Sequence, residues 1–304
     1  MRAIIIREYE LGKKLCGKRA VALGFFDGVH LGHREIIETA VKEAKARSII
    51  SAVFTFSSES ENIKDDKRIY STKEKAELIA ECGVEEIIIC DFSKVKSLSA
   101  EDFITKTLCE DLGCALAVSG EDFRFGSGAL GNTDLLRKTL LSHGSELICP
   151  SDVVWEGEKI SSSKIKRLIE EGNVKKAAKM LGSPFFVKSR VKRGLGLGKT
   201  FGFPTVNTDL PKVFPNLSSG VYKCVCNIDS KEYRALTNVG TCPTVGERER
   251  HIETFLIDFE GDLYDREIRI YFLDFIRPER RFDSVEDLKK QIKVDINNSF
   301  GAKE

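Results

Sequence analysis

The sequence predicts two domains of different class: an α/β domain with a parallel sheet, then a mainly β domain that closes into a small antiparallel barrel. Three observations lead to this prediction. The chain has 304 residues, more than one hydrophobic core usually serves. Short apolar runs alternate with amphipathic segments in the first part, whereas runs with a period of two follow one another in the second. A Gly-Ser-Pro sequence at 182–184 marks the boundary between them.

The composition is that of an ordinary globular protein, with 41% hydrophobic and 31% charged residues. A formal net charge of +1 argues against broad nucleic-acid binding, which needs a large positive field. No apolar run approaches the roughly 20 residues of a membrane span, and the N-terminal apolar stretch is too short for a secretory signal. Nine cysteines without a CxxC pair favour reduced thiols over a disulfide framework or a zinc site. We therefore expect a cytoplasmic protein that acts on small molecules, without nucleic-acid or membrane partners.

Strands and helices are predicted in alternation in the first half. Apolar runs indicate strands at 20–23, 49–56, 86–90, 115–118 and 147–149, with helices after residue 33 and at 73–82, 100–112 and 135–141. Apolar strands separated by helices indicate a parallel sheet covered on both faces. Ligands of such sheets bind at the carboxyl ends of the strands, so the loops that follow them are the expected site.

The loop after the first of these strands is GFFDGVHLGH, residues 24–33. Gly24 and Gly28 permit a tight turn, and His30 and His33 lie three apart where the loop enters a helix. A helix start offers free amides and a positive dipole end to phosphate. Two imidazoles there can hydrogen-bond a triphosphate and stabilise charge that develops on it. Metal ligation and simple helix capping are the alternatives, although no third metal ligand is apparent.

Two further loops supply polar groups. SGEDFRFGSG at 119–128 places Asp122 and Arg124 among glycines directly after a predicted strand, as expected of a nucleoside-contacting loop. ISSSKIKR at 160–167 offers hydroxyls and lysines at a helix start, where Ser162 and its neighbours can cap the helix and the lysines can meet phosphate. A capped, solvated helix end is the alternative for the second loop.

A mainly β domain is predicted beyond the boundary. Strands are indicated at 185–193, 221–228, 233–239, 252–259 and 268–275, and one helix from Ser284 to about residue 296. Glycine or acidic turns separate the strands, which favours a small antiparallel barrel with a closing helix. Cys224 and Cys226 lie two apart in one strand, so we expect both thiols to be buried on the same side.

A glycine-rich stretch, VKRGLGLGKTFGFPTVN at 191–207, lies within this domain. It is not a Walker A loop, because Arg193 stands where that motif needs glycine, and it does not fit a dinucleotide fingerprint either. Lys199 adds a cation to three glycines whose missing Cβ atoms let backbone amides approach a ligand closely. Those glycines are Gly194, Gly196 and Gly198. From the glycines alone, a flexible surface hairpin is the alternative.

Taken together, these motifs resemble those of a known family. GFFDGVHLGH, SGEDFRFG and ISSSKIK, in this order and spacing, resemble the HxGH nucleotidyltransferase module of the bifunctional riboflavin kinase/FAD synthetase family. The glycine-rich stretch, NVGTCPT at 238–244 and ETFLIDFEGDLYDREIRIYF from Glu253 resemble its kinase module. The resemblance covers nearly the whole chain. It implies an FMN adenylyltransferase domain at 1–182 and a riboflavin kinase domain at 183–304.

Two reactions are implied by this resemblance. The C-terminal domain phosphorylates riboflavin to FMN with ATP and Mg²⁺, and the N-terminal domain transfers AMP from ATP to FMN, giving FAD and pyrophosphate. Glu253 is then the general base of the kinase. Thr205 and Asn207 offer hard oxygen ligands suited to Mg²⁺ or another divalent ion. A glutamate that faces water on an edge strand is the structural alternative for Glu253.

The resemblance also assigns the remaining site residues. His30, His33 and Lys166 are placed in the adenylyl-transfer step, where they neutralise the departing pyrophosphate. The nucleotide site of that module comprises Gly24, Phe26, Asp27, Gly28, Asp122, Arg124, Ser162 and Ser163. The kinase nucleotide site comprises Gly194, Gly196, Gly198 and Lys199, and the flavin site Phe203, Pro204 and Asn238.

Three departures from the family pattern stand out. The usual TFxPHP is TFSSES at 55–60, Lys166 stands where arginine is usual, and Asp265 replaces the usual glycine after DLY. Lysine cannot make the planar bidentate phosphate contact of arginine. One alternative is therefore a riboflavin kinase whose N-terminal half is a weak or inactive nucleotidyltransferase that serves as a binding or regulatory module. An aminoacyl-adenylate site is another use of HLGH, but no KMSKS-like sequence accompanies it.

Overall fold

The structure, a computed structural model, describes residues 4–59, 67–192, 205–209, 215–229, 231–241 and 250–301. The chain forms two compact units, Met1–Ser162 and Ser163–Glu304. Each unit is built on one six-stranded sheet, which is parallel in the first unit and antiparallel in the second. The predicted fold class is confirmed for both halves.

The first unit alternates strands and helices. In chain order these are β1 Ile5–Glu8, β2 Arg19–Leu23, α1 Leu31–Arg47, β3 Ile50–Phe56, α2 Thr72–Glu81, β4 Glu86–Cys90, α3 Ala100–Asp102 with its π-helical continuation Phe103–Asp111, β5 Cys114–Val118, α4 Thr133–Ser142, β6 Glu146–Ile148, β7 Val154–Trp155 and β8 Glu158–Lys159. The main sheet has the order β1-β4-β3-β2-β5-β6. Strand β1, which was not predicted, is an exposed edge strand, whereas every residue of the central strand β2 is buried.

Helices cover both faces of this sheet, as the apolar strands require. Val21 and Leu23 of β2 belong to a core cluster that includes Leu108 of the π-helix and Leu140 of α4. The intervening residues of β2 point to the opposite face, where α1 packs on β2, β3 and β5. Because the helices lie on the two faces, the loops at the carboxyl ends of the strands remain the expected ligand site.

The helix predicted at 100–112 has the expected position but is π-helical from Phe103 onward. One of its hydrogen bonds runs from Leu112 N to Thr107 O at 3.1 Å and so spans five residues. The hydroxyl oxygen of Tyr9 lies 3.0 Å from Thr107 Oγ1 and 2.8 Å from Asp111 Oδ2. This buried network ties the π-helix to the segment that follows β1.

The second unit begins with two helices and continues as a sheet. Its elements are α5 Ser162–Glu170, α6 Val174–Leu181, β9 Phe185–Arg190, β10 Thr205–Asp209, β11 Gly220–Ile228, β12 Lys231–Thr241, β13 Arg250–Leu256, β14 Glu267–Arg277 and α7 Val285–Phe300. The strand order is β10-β13-β12-β11-β14-β9. Just beyond β9, Lys192 N donates to Asn207 O of β10 at 2.8 Å. Because β9 and β10 are the two edges of the sheet, this bridge closes the sheet on itself.

Alternate residues of these strands fill the interior of the second unit. Cys224 and Cys226 are both fully buried, which confirms that their thiols share the inner side. All eight cysteines in the described part of the chain are free. The closing helix α7 is held on β14 by Arg277, whose Nη2 lies 2.9 Å from Asp295 Oδ2. None of the helices in the described ranges is long and apolar enough to cross a membrane.

Candidate functional site

The 24–33 loop leaves β2 and enters α1, as predicted. Phe26, Gly28 and Val29 have φ values of 54°, 85° and 43°. For a residue other than glycine this left-handed conformation costs roughly 1–3 kcal/mol, and such strain clusters at functional sites. Gly24 meets a steric need, because a Cβ atom there would lie 2.8 Å from the Phe26 ring. Phe26 is 1% exposed, so its ring is buried beneath the loop rather than in contact with solvent.

His30 is the N-cap of α1, so capping, one of the alternatives for this residue, is part of its role. Its Nδ1 accepts a hydrogen bond from His33 N at 3.3 Å. Because Nδ1 is an acceptor, the proton of a neutral His30 ring lies on Nε2. The rings of His30 and His33 are stacked, with 3.5 Å between centroids and 18° between planes. The two imidazoles therefore lie together at the N-terminus of α1, the positive end of the helix dipole.

Burial lowers the pKa of both imidazoles. The pKa of His30 falls to about 4, chiefly through burial and further through the nearby Lys159 cation. The pKa of His33 falls well below its ordinary value through burial, with His30 and Lys75 adding to the effect. Both rings are therefore neutral at pH 7 and act as hydrogen-bonding groups rather than as fixed cations. In the described part of the chain, His33 Nδ1 is buried and has no hydrogen-bond partner.

Asp27 anchors the loop, a role that was not predicted. Its Oδ1 accepts a hydrogen bond from Ile69 N at 2.8 Å, and the residue is 6% exposed. Its backbone oxygen accepts a hydrogen bond from Ser162 Oγ at 2.9 Å. Ser162, the last residue of the first unit, therefore helps to hold the 24–33 loop. Ser163 and Lys166 follow on α5 within the second unit, the first exposed and the second half-buried.

Asp122 and Arg124 are exposed in the loop that follows β5. Lys159 of β8 lies 2.8 Å from Asp122 Oδ2 and 2.9 Å from Asp152 Oδ1. The hydrogen bond from Lys159 lowers the pKa of Asp122. Lys159 thus joins the short hairpin to the predicted nucleoside loop. The sequence gives no signal for this contact, because Lys159 belongs to a two-residue strand of exposed charged side chains.

Two buried cations near the loop were also not predicted. Lys75 Nζ donates to Phe25 O at 3.1 Å and to Phe56 O at 2.5 Å. The same ammonium lies 4.4 Å from the centroid of the Phe25 ring, and the Arg68 guanidinium carbon lies 5.0 Å from it. In the sequence, Lys75 belongs to TKEK, a composition typical of a solvated first helical turn. Its burial is a tertiary effect.

The residues that replace the family's PHP stabilise the start of α2. Glu59 Oε1 accepts a hydrogen bond from Thr72 N at 3.0 Å, and Ser58 N donates to Thr72 Oγ1 at 2.7 Å. Ser71 and Glu74 form a capping box at the same helix end. The residues at 58 and 59 that depart from the family pattern therefore supply hydrogen bonds to the first residue of α2. At another of the three departures, Asp265 adopts a φ of 62°, a conformation that glycine takes freely and aspartate tolerates.

In the second unit, polar residues from three neighbouring strands line up. Asn207 of β10 pairs with Glu253 of β13, which pairs with Asn238 of β12. Paired residues share a face, and Thr205 lies two positions before Asn207 on the same face. All four residues are half-buried. Thr254, which follows Glu253 on β13, points to the opposite face and is fully buried in the interior. We call Thr205, Asn207, Glu253 and Asn238 the polar row.

A second carboxylate adjoins the polar row. Asn238 Nδ2 donates to Glu279 Oε1 at 3.2 Å, a contact between residues 41 apart in the chain. Glu279 lies between β14 and α7, in a segment held by aromatic and ionic contacts. The guanidinium carbons of Arg277 and Arg280 lie 5.8 Å and 4.7 Å from the Phe282 ring centroid. This long-range contact was not predicted.

The glycine-rich stretch lies outside the described residues. With it lie the predicted nucleotide residues Gly194, Gly196, Gly198 and Lys199 and the predicted flavin residues Phe203 and Pro204. Within the described ranges, no group of three or more His, Cys, Asp or Glu side chains could hold a metal ion. Mg²⁺ usually takes only one or two protein ligands beside substrate phosphates and waters. The hydroxyl of Thr205 and the amide oxygen of Asn207 are donor types that suit it.

Comparison with known proteins matches both halves of the chain. The family model for FAD synthetase matches residues 13–164, and that for riboflavin kinase matches residues 181–300. The bifunctional riboflavin kinase/FMN adenylyltransferase of Escherichia coli K12 is 34% identical over 281 residues, 90% of each chain. The protein of the same name from Bacillus subtilis is 32% identical over 301 residues, 96% of this chain and 94% of that one.

A solved structure shares the architecture. It is a crystal structure described as that of a macrolide-efflux protein from Streptococcus pneumoniae. The two chains are 31% identical, with a TM-score of 0.89 over 99% of this chain and 100% of that one. What this match shows is the fold, while the family follows from the two matched models and the curated relatives. The chain belongs to the bifunctional riboflavin kinase/FMN adenylyltransferase family.

Proposed function

We propose that this protein phosphorylates riboflavin to FMN with ATP and then transfers the AMP moiety of ATP to FMN, which gives FAD and pyrophosphate. The observation that carries the proposal is the presence of both matched modules, each with its own polar site. The first module has stacked histidines at the start of α1, and the second has the polar row on three adjacent strands.

In the kinase reaction, Glu253 is the proposed general base. It accepts the proton of the terminal ribityl hydroxyl while that oxygen attacks the γ-phosphorus of ATP and ADP leaves. Its place in the middle of the polar row supports this role, because an amide side chain lies on each side of it. Asn238 is proposed to contact the flavin substrate, with its amide held by Glu279. The glycine-rich stretch with Lys199 is proposed to hold ATP.

Mg²⁺ is the proposed metal of the kinase step. Thr205 and Asn207, two apart on β10, would hold it through a hydroxyl and an amide oxygen. When bound, the ion supplies positive charge that neutralises the phosphate oxygens of ATP. Asn207 pairs with Glu253 on one side and forms a β-bridge with Lys192 on the other. Its backbone is therefore held from two sides.

In the adenylyl transfer, no enzyme nucleophile is needed. A phosphate oxygen of FMN attacks the α-phosphorus of ATP, and the bond to pyrophosphate breaks. His30 is proposed to donate from Nε2 to the departing pyrophosphate, and the free amides at the start of α1 add to this stabilisation. The buried Nδ1 of His33, without a partner in the described part of the chain, supports a role of that ring towards a ligand. Lys166 is proposed to add a positive charge.

Further assignments complete the proposal. We place the domain boundary between residues 182 and 183, later in the chain than the division of the compact units after Ser162. The riboflavin kinase match that begins at residue 181 supports this boundary. The nucleotide site of the first module is proposed to comprise Gly24, Phe26, Asp27, Gly28, Asp122, Arg124, Ser162 and Ser163. We also propose a cytoplasmic location, which the free thiols of the eight described cysteines support.

Separate assay of the two steps tests the proposal. Purified protein is incubated with riboflavin, ATP and Mg²⁺, and a second sample with FMN, ATP and Mg²⁺, and the flavins are separated by chromatography. We expect FMN and FAD in the first sample and FAD in the second. Absence of both FMN and FAD from the first would refute the kinase assignment. FMN without FAD would instead favour a kinase whose N-terminal half is a binding or regulatory module.

A further inference from the structure

The first unit keeps an ammonium group in its interior at a cost to its stability. Lys75, in the first turn of α2, is 1% exposed. Burial lowers the pKa of Lys75 to about 7, because the charged amine is disfavoured away from water. The unfolded chain binds that proton more readily, so a charged Lys75 opposes folding. An apolar side chain of similar size would fill the same space without this cost.

Lys75 bridges the ends of two neighbouring strands. Strands β2 and β3 pair side by side as far as Leu23 and Phe54. Beyond this pair, Lys75 Nζ bridges the two chains by donating to Phe25 O at 3.1 Å and to Phe56 O at 2.5 Å. Both acceptors lie at the carboxyl edge of the sheet, where ligands of parallel sheets bind.

One of these acceptors belongs to the loop that carries the histidines. Phe25 is the second residue of the 24–33 loop, and its carbonyl oxygen also accepts a hydrogen bond from Thr55 Oγ1 at 2.9 Å. Its ring lies under Lys75 Nζ, 4.4 Å from the centroid, and 5.0 Å from the guanidinium carbon of Arg68. The carbonyl and the ring of Phe25 are thus both held, which fixes where the loop leaves the sheet on its way to His30.

Charged groups from each neighbouring segment face Lys75. Asp27 of the loop and Glu59 after β3 raise its pKa, and Arg68 before α2 lowers it. Lys75 in turn lowers the pKa of His33 at the start of α1. The charge of this ammonium therefore acts on His33, one of the two stacked imidazole rings. An anion that binds against those rings would stabilise the charged form of Lys75.

We propose that Lys75 is a positioning residue of the adenylyl-transfer site: it holds the 24–33 loop through Phe25 O and Phe56 O and places positive charge behind His33. The inference rests on the proposed function of the first module. Lys75 acts through the loop and the imidazole rings rather than by contact with the substrate. Its positive charge stabilises the negative charge that develops on the departing pyrophosphate. We therefore expect Lys75 to affect the turnover, kcat, of FMN adenylylation.

Three variants of the full-length protein test this proposal. Lys75→Met removes the ammonium, Lys75→Arg keeps a cation that does not titrate, and Lys73→Met, an exposed lysine on the same helical turn, is the matched control. FAD formation from FMN and ATP gives kcat and KM at pH 6.5 to 9. FMN formation from riboflavin serves as the internal control, and thermal melting reports folding.

We expect Lys75→Met to lower kcat for FAD formation at least about 30-fold, with FMN formation within twofold of wild type. Wild-type kcat/KM for FAD formation should decline as the pH rises above about 7, where Lys75 of the free enzyme loses its proton. Lys75→Arg should keep at least about a tenth of the wild-type rate without this decline, because arginine stays charged. Lys73→Met should match the wild type in both steps.

Two results would overturn the proposal. One is a Lys75→Met protein that forms FAD within threefold of the wild-type rate. The other is a Lys75→Arg protein that keeps the wild-type pH dependence, and this result decides the matter even if Lys75→Met melts below the assay temperature. Absence of FAD from the wild type is a different outcome, because it refutes the proposed adenylyl transfer itself.

Discussion

Glu253 is the residue on which the kinase proposal depends. Changing Glu253 to Gln keeps the size and hydrogen-bonding capacity of the side chain but removes the proton acceptor. We expect turnover of FMN formation to fall by about 10² to 10⁴, with little change in the KM for riboflavin. Steady-state kinetics measure both quantities.

The matched control for this variant is Glu232→Gln, an exposed residue on the adjacent strand β12. It should leave both reactions unchanged. FAD formation from preformed FMN should be normal in both variants, because that reaction is assigned to the other module. Unchanged turnover of Glu253→Gln would remove Glu253 from the role of base.

His30 combines a structural and a proposed chemical role, and two substitutions separate them. Asparagine is a good N-cap, so His30→Asn should keep the stability of α1, whereas His30→Ala should lose about 1 kcal/mol. Both variants lose the imidazole donor, and we expect both to lower FAD formation about 10- to 100-fold while FMN formation stays normal. Melting temperatures and the two assays measure these effects. If His30→Asn forms FAD at the wild-type rate, His30 acts only as a cap.

The residues of the polar row show how far sequence reasoning reaches at this scale. Glu253, Asn207 and Asn238 were each assigned by resemblance, but their alignment across three strands depends on pairing between segments far apart in the chain. Lys75 and Glu279 gave no signal at all. Both are charged residues in polar surroundings in the sequence, and only tertiary contacts place them beside a site.

The start of α1 predicts a pH dependence of stability. The pKa of His30 is about 4 in the folded protein and near 6.5 in the unfolded chain, so the unfolded state binds more protons between these values. Stability should therefore fall as the pH drops from 6.5 towards 4, by at most about 3 kcal/mol for this residue. Thermal melts at pH 7 and pH 5 should differ less in His30→Asn than in the wild type. An equal difference in both would contradict the burial of a neutral His30.

A buried ion pair joins the closing helix α7 to strand β14. Asp295 accepts hydrogen bonds from Arg277 and from Gln291 Nε2, the latter at 2.6 Å, and its side chain is 3% exposed. Asp295→Ala leaves the guanidinium without its partner and should cost about 3 to 5 kcal/mol. Denaturant unfolding measures the loss. The exposed Lys293→Ala on the same helix should be neutral, and a neutral Asp295→Ala would show that the pair does not hold the helix.

Elements with a strong hydrophobic pattern were predicted well, and those without one were not. Strand β2 and helix α1 follow directly from an apolar run and an amphipathic segment. Strand β10, with the sequence TVNTD, is short and polar, so its extended state comes from pairing with β13 and from the bridge to Lys192. Strand β1 is exposed at a sheet edge, where burial imposes no pattern on it.

At the scale of the molecule, the two units explain how one chain can carry out two chemically different steps. The first offers a helix start with neutral imidazoles, which suits the stabilisation of a departing pyrophosphate. The second offers amide, hydroxyl and carboxylate groups on one face of three adjacent strands, which suits a metal-dependent phosphoryl transfer to a hydroxyl. The variants of Glu253 and His30 should therefore each affect one reaction and spare the other.

The most direct test of the whole proposal is a time course with the wild-type protein, riboflavin, ATP and Mg²⁺, followed by chromatography of the flavins. We predict that FMN appears first and is then converted to FAD, with pyrophosphate formed in step with FAD. A time course in which neither FMN nor FAD forms would contradict the kinase assignment. One in which FMN accumulates and no FAD forms would contradict the claim that this single chain performs both steps.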